Sequence, residues 1–125
     1  ASDEDSLINR ILQSQVRFDS MNGPKQRSIG ELVECANGKT NIDGLIAADA
    51  NDILGRHGLR VQSGSLLIAN KHAELQRIMR DSSWAAGWRT ILMRIDGATT
   101  KTSPVWFAGS QSRAVQIPLS SIGMK

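Results

Sequence analysis

The sequence holds a single cysteine, no glycine-rich phosphate loop, and no apolar run near the roughly 20 residues that a membrane span needs. Each absence excludes a class of protein. One cysteine, Cys35, rules out an internal disulfide and the zinc patterns built on several thiolates. It lies in the apolar rhythm of "IGELVECA" with no basic cluster to stabilise a thiolate, which predicts a buried thiol kept in a reduced compartment. The start "ASDEDSLINR" is acidic where a signal peptide is basic, so the expectation is a soluble, cytoplasmic chain without membrane contact. Neither the Walker-type nor the dinucleotide-type glycine loop occurs, so no nucleotide-hydrolysing site of its own is expected.

The materials of an active site are equally sparse. His57 and His72 fall in different elements without metal-ligand spacing and read as helix-end or surface residues. "GSQSR" lacks the second glycine of a nucleophile elbow. Asp43, Asp49 and Asp52 are close in sequence but suit helix caps and solvated faces. The expectation is therefore no catalytic residue, no metal, no cofactor, and no enzyme activity of the chain by itself.

What is present suits one domain. A chain of 125 residues can bury somewhat under roughly 70% of the surface its unfolded form exposes. Hydrophobic content of 40% and charged content of 22% are ordinary globular values, which removes disordered and fibrous classes. The net charge of +3 is unevenly spread. Residues 1–20 carry Asp3, Glu4, Asp5 and Asp19 against Arg10 and Arg17, a balance of −2. Residues 71–125 carry eight bases against Glu74, Asp81 and Asp96, a balance of +5. A basic half is the electrostatic footprint expected of a phosphate-binding surface.

Along the chain, Leu7, Ile8, Ile11, Leu12 and Val16 recur at helical spacing and predict a helix ending near Phe18, followed by a loop over "DSMNGPKQR". "SIGELVECANG" opens with Ser28, carries Glu31 three residues later as a capping box requires, and stops on Asn37-Gly38. "LIAADANDILGRHG" predicts a third helix closed by Gly58, and "LRVQSGSLLIAN" a hairpin turning at Ser63-Gly64. "KHAELQRIMRDSS" predicts a fourth helix, and residues 87–95 a fifth. Two strands follow, around Val105–Ala108 and Arg113–Ile117. No repeat or low-complexity tract interrupts this order. The fold class expected is α+β, mainly helical, with a winged helix-turn-helix-like C-terminal half of helix, helix and β-wing.

That half supplies the candidate site. Trp84, Trp88, Ile91, Leu92 and Ile95 form one stripe to be buried, which makes the tryptophans core residues and leaves Arg89, Thr90, Met93 and Arg94 outward. The fourth helix turns Arg77 and Arg80 away from Leu75, Ile78 and Met79. In the wing, Val105 and Phe107 alternate with Trp106, and Val115 and Ile117 with Ala114 and Gln116, so each strand is expected to bury one face. The connecting loop offers Gln111 and Arg113, and "TTKT" offers Lys101. Guanidinium, ammonium, amide and hydroxyl groups on a protruding hairpin suit a sugar-phosphate backbone. The DNA-binding set expected is Arg77, Arg80, Arg89, Thr90, Arg94, Lys101, Gln111 and Arg113.

The segment "LLIANKHAELQRIMRDSSWAAGWRTILMRIDGA", continued by "VWFAGSQSRAVQIPL", resembles the C-terminal winged-helix region of helicase and primase-helicase proteins of phages and bacterial mobile elements. The matching positions are Leu67 to Asn70, Trp84, Gly87, Trp88, Leu92, Gly97, Ala98, Phe107, Gly109, Ser112, Arg113, Ile117, Pro118 and Leu119. The likeness covers roughly residues 66–119, and residues 1–44 match nothing comparable. It implies a DNA-engaging accessory domain of a replication helicase or primase, binding duplex or single-stranded DNA, with the ATPase upstream in a parent chain. A start on Ala1 rather than Met fits a piece of a longer protein. On this reading residues 1–20 form an N-terminal helix that links to the parent, and residues 28–122 form the winged-helix-like domain. The alternative is a protein-interaction or homo-oligomerisation module that docks through Met93, Trp106 or the N-terminal helix, without nucleic-acid contact.

Overall fold

The computed structural model describes residues 2–80 and 82–124. The first helix, α1 (Asp3–Gln13), starts where Ser2 accepts a hydrogen bond from the Asp5 N–H at 3.2 Å. Acids fill its first turn, where the helix dipole favours them. It buries Leu7, Ile8 and Ile11.

The helix does not reach Phe18. Ser14 turns the chain into extended backbone, and β1 (Gln15–Ser20) pairs antiparallel with β2 (Gly23–Ser28) through a two-residue turn at Met21-Asn22. The segment expected as a loop is therefore half of a hairpin. Val16 and Phe18 are buried while Gln15, Arg17 and Asp19 are exposed, a period of two rather than 3.6. Val16 fits both periods, since it lies four residues after Leu12 and two before Phe18. Pro24 is tolerated because β2 is an edge strand of this two-stranded sheet.

Helix α2 (Ile29–Ala36) begins on the expected capping box: Ser28 Oγ accepts from the Glu31 N–H at 3.2 Å, and Glu31 Oε1 accepts from the Ser28 N–H at 3.1 Å. It buries Ile29, Leu32, Val33 and Cys35, and the Cys35 thiol donates to the Leu45 carbonyl at 3.6 Å. Arg27 clasps Asp43 bidentately at 2.8 and 3.0 Å, holding the loop after α2 against β2. Helix α3 (Ala47–Gly55) follows and ends in a turn at Gly58 with φ +79°.

The second sheet has the order β3-β4-β6-β5, all antiparallel: β3 (Leu59–Gln62), β4 (Ser65–Ala69), β5 (Thr99–Phe107) and β6 (Ser110–Pro118). The carboxamide of Asn51 in α3 bonds both backbone groups of Val61, at 2.9 and 3.0 Å, and so occupies part of the outer edge of β3. Strand β6 lies inside the sheet, between β4 and β5, so Ala114 is fully buried rather than outward. The C-terminal hairpin is thus part of a four-stranded sheet through Ala114–Pro118, and a register shift between Lys101 and Val105 separates that part from its tip.

Helix α4 (Ala73–Met79) is capped by His72, whose Nδ1 accepts from the Glu74 N–H at 3.2 Å, making this histidine a helix-end residue. Helix α5 (Trp88–Leu92) is shorter than expected. Beyond it the backbone tightens to bonds three residues apart, Arg94 N–H to Ile91 O and Ile95 N–H to Leu92 O. Trp88, Leu92 and Ile95 are buried and Trp84 is partly so, as the stripe requires. Helix α1 packs against α5, and Arg10 donates to the Ile78 and Arg80 carbonyls at 2.7 and 3.4 Å, closing the end of α4. The fold is α+β, with helix and strand in nearly equal shares rather than mainly helical, because the hairpins at residues 15–28 and 99–118 are longer than their apolar cores suggest.

Candidate nucleic-acid interface

The end of β4, helix α4 and the segment leading into α5 enclose a groove of about 640 Å³. Asn70 and Lys71 enter it from the strand, Gln76 and Arg80 from α4, and Arg89 and Thr90 from α5. No Asp or Glu is among the described residues lining it, so Lys71, Arg80 and Arg89 concentrate three cations there. Lys71 and Arg80 are exposed, and neither side chain has a hydrogen-bond or ion-pair partner among the described residues.

Arg89 is held rather than free. Its Nη1 donates to the Asn70 carbonyl at 2.7 Å, and its guanidinium lies 5.7 Å from the centre of the Trp88 ring. A guanidinium has five N–H donors, so this bond fixes its plane and leaves others for a ligand. The Asn70 Oδ1 is buried without a hydrogen-bond partner among the described residues. The backbone N–H groups of Asn70 and Lys71 donate to Arg113 O at 2.7 Å and Ser112 Oγ at 3.3 Å, which places the start of β6 beside the groove.

Of the residues expected from sequence, Arg80, Arg89 and Thr90 meet in this groove. Arg77 does not. It donates to Glu74 at 2.9 Å and lines a different cleft, because on a short helix it points about 100° away from Gln76. Arg94 is exposed beyond α5, Gln111 and Arg113 are exposed on β6, and Lys101 is half-buried on β5; none of them lines the groove. Lys71, Gln76 and Asn70 belong to it although the expected set omits them. For Lys71 and Gln76 the signal was the polar face of the helix expected over "KHAELQRIMRDSS", although Lys71 precedes α4 in the fold; Asn70 has none, since its role follows from the pairing of β4 with β6.

His57 lines the cleft that holds Arg77. Burial holds its imidazole below the ordinary histidine value, against the opposing pull of Glu74, whose carboxylate lies 3.7 Å from Nδ1. Among the described residues no group of three or more His, Cys, Asp or Glu side chains is placed to hold a metal, and no described helix is long and apolar enough to cross a membrane. The chain matches no family model, no curated protein and no solved structure.

Proposed function

We propose that the chain is a DNA-binding accessory domain that engages its ligand through the groove between α4 and α5. The observation that carries this is the meeting of Lys71, Arg80 and Arg89 in one groove lined by no carboxylate among the described residues. Such a groove attracts phosphates and releases counterions on binding, so affinity depends steeply on salt. Thr90 and Gln76 add neutral donors of the kind that orient a backbone.

The resemblance of residues 66–119 to the winged-helix region of mobile-element helicases and primases supports the same reading. In it, α4 and α5 act as the helical pair, and the β5–β6 tip, with Gln111 and Arg113, acts as the wing. Lys101 and Arg94 extend the basic surface. The ATPase domain of a parent chain is then the partner in cis, and this chain contributes binding and no chemistry.

The test is fluorescence anisotropy with labelled duplex and single-stranded DNA at two salt concentrations. The double variant Lys71→Glu/Arg80→Glu, chosen because neither side chain supports the fold, should melt like wild type. Loss of two phosphate contacts should lower the duplex salt slope by about 1.8. Unchanged affinity in the folded variant would refute the reading. A second reading, a protein-docking module, is favoured by Trp106, which is 56% exposed on β5 at the edge of the sheet. Self-association that survives high salt in sedimentation would select it.

A further inference from the structure

A second basic cleft, of about 660 Å³, borders α4 on the side of Arg77. The β1–β2 hairpin brings Arg17 and Gln26, the turn after α3 brings Arg56 and His57, and α4 brings Glu74 and Arg77. An adjoining recess of about 430 Å³ shares Arg17, Gln26 and Arg56 and adds Lys25. These cations come from separate parts of the chain and meet only in the fold.

Ion pairing does not account for their convergence. Arg56 is exposed, with no side-chain partner among the described residues. Arg17 donates to a neutral group, Gln26 Oε1, at 3.2 Å. Glu74 is engaged by Arg77 at 2.9 Å, and the other acid of the two recesses, Asp19, lies at the Lys25 end. Arg17 and Arg56 meet there with no carboxylate paired to either among the described residues, so they repel one another when the cleft is empty, and an anion relieves that repulsion. A neutral donor stands beside the cations. With Oε1 occupied by Arg17, the Gln26 amide keeps its N–H groups for a ligand.

We infer that this cleft is a phosphate-ester site, with Arg17, Arg56 and Arg77 as its cationic contacts and Gln26 as a neutral donor. The inference does not rest on DNA binding at the α4–α5 groove. The phosphates can come from the backbone of a single strand lying along the two recesses, or from a free phosphate or nucleotide, and the two sources separate in the test.

The experiment is heteronuclear NMR titration of the whole chain with inorganic phosphate and, separately, with an oligodeoxythymidylate, reading the amides of Arg56 and His57 for the cleft and of Arg89 and Thr90 for the groove. Saturable shifts at Arg56 and His57 are expected. If only the oligonucleotide produces them the source is a strand; if inorganic phosphate suffices the source is a free phosphate group. Three contacts to a single strand give a salt slope of about −2, so oligonucleotide affinity should fall about 20-fold from about 50 to 200 mM salt, and only about threefold in Arg17→Glu/Arg56→Glu. Arg17→Gln/Arg56→Gln repeats the comparison without charge reversal should the first variant fail to fold. The inference is overturned if neither ligand shifts the cleft amides at low salt, or if the folded variant binds like wild type. Groove shifts without cleft shifts defeat this inference alone; cleft shifts without groove shifts defeat the groove reading alone.

Discussion

Replacing Gly58 by alanine tests how α3 is joined to α4. Gly58 adopts φ +79°, and a Cβ there would meet His72 Cβ at 2.8 Å and Leu75 Cδ1 at 2.9 Å. The left-handed backbone costs an alanine about 1–2 kcal/mol. The contacts cost about 1–3 kcal/mol more, since Leu75 is fully buried and His72 caps α4, so neither can withdraw freely. Together these make about 2–5 kcal/mol. For 125 residues the unfolding entropy is about 0.26 kcal/mol/K, so the midpoint should fall by about 8–19 °C. Gly38→Ala is the control, because Gly38 has φ +77° with nothing within 4 Å of the added Cβ. It should lose the backbone cost alone, about 1–2 kcal/mol. Both substitutions restrict the unfolded chain equally, so the difference between them isolates the packing contribution. Thermal melts followed by circular dichroism give both numbers. Equal shifts for the two variants would refute the account of Gly58 as a close-approach residue.

Two pH effects follow from the same structure. The hydrogen bonds from Arg27 hold the Asp43 carboxyl below its ordinary value of 3.8 against the opposing effect of burial, with Lys25 adding to the lowering. The stability this contributes is present above pH 3.8 and is lost as pH falls through the folded value, so Asp43→Asn should lower stability at neutral pH and flatten the acid limb of a urea-midpoint profile. Asparagine is the suitable replacement because Asp43 has φ +52°. Burial holds His57 below 6.5, with Glu74 opposing and His72, Arg77 and Arg56 reinforcing, so the unfolded chain takes up the proton first as pH falls. Stability should therefore decline as pH drops from 6.5 through the folded value, and His57→Gln should remove that part of the decline; an unchanged profile in the variant would count against a desolvated imidazole.

Features set by near neighbours were legible in the sequence. The Ser28–Glu31 capping box, the turn at Ser63-Gly64, the left-handed Gly58 and the alternation of Val105, Trp106 and Phe107 each depend on residues within a few positions of one another, and all are present in the fold. The β1–β2 hairpin was not legible, because Val16 and Phe18 suit either period until Gln15, Arg17 and Asp19 are seen facing solvent. The groove was half legible. Arg80, Arg89 and Thr90 stand on polar faces that periodicity reveals, but their company with Asn70 does not.

The sequence by itself determined most of the elements, the burial of Cys35 and the tryptophan stripe, and the concentration of positive charge in the C-terminal half, since these follow from spacing and composition. The tertiary structure alone decided that β6 enters the sheet between β4 and β5, that α1 docks on α5 with Arg10 closing α4, and that Arg17, Arg56 and Arg77 share a cleft. Strand order and the meeting of distant side chains depend on non-local pairing, where the free energy lies in joint burial of surfaces rather than in any local run of residues.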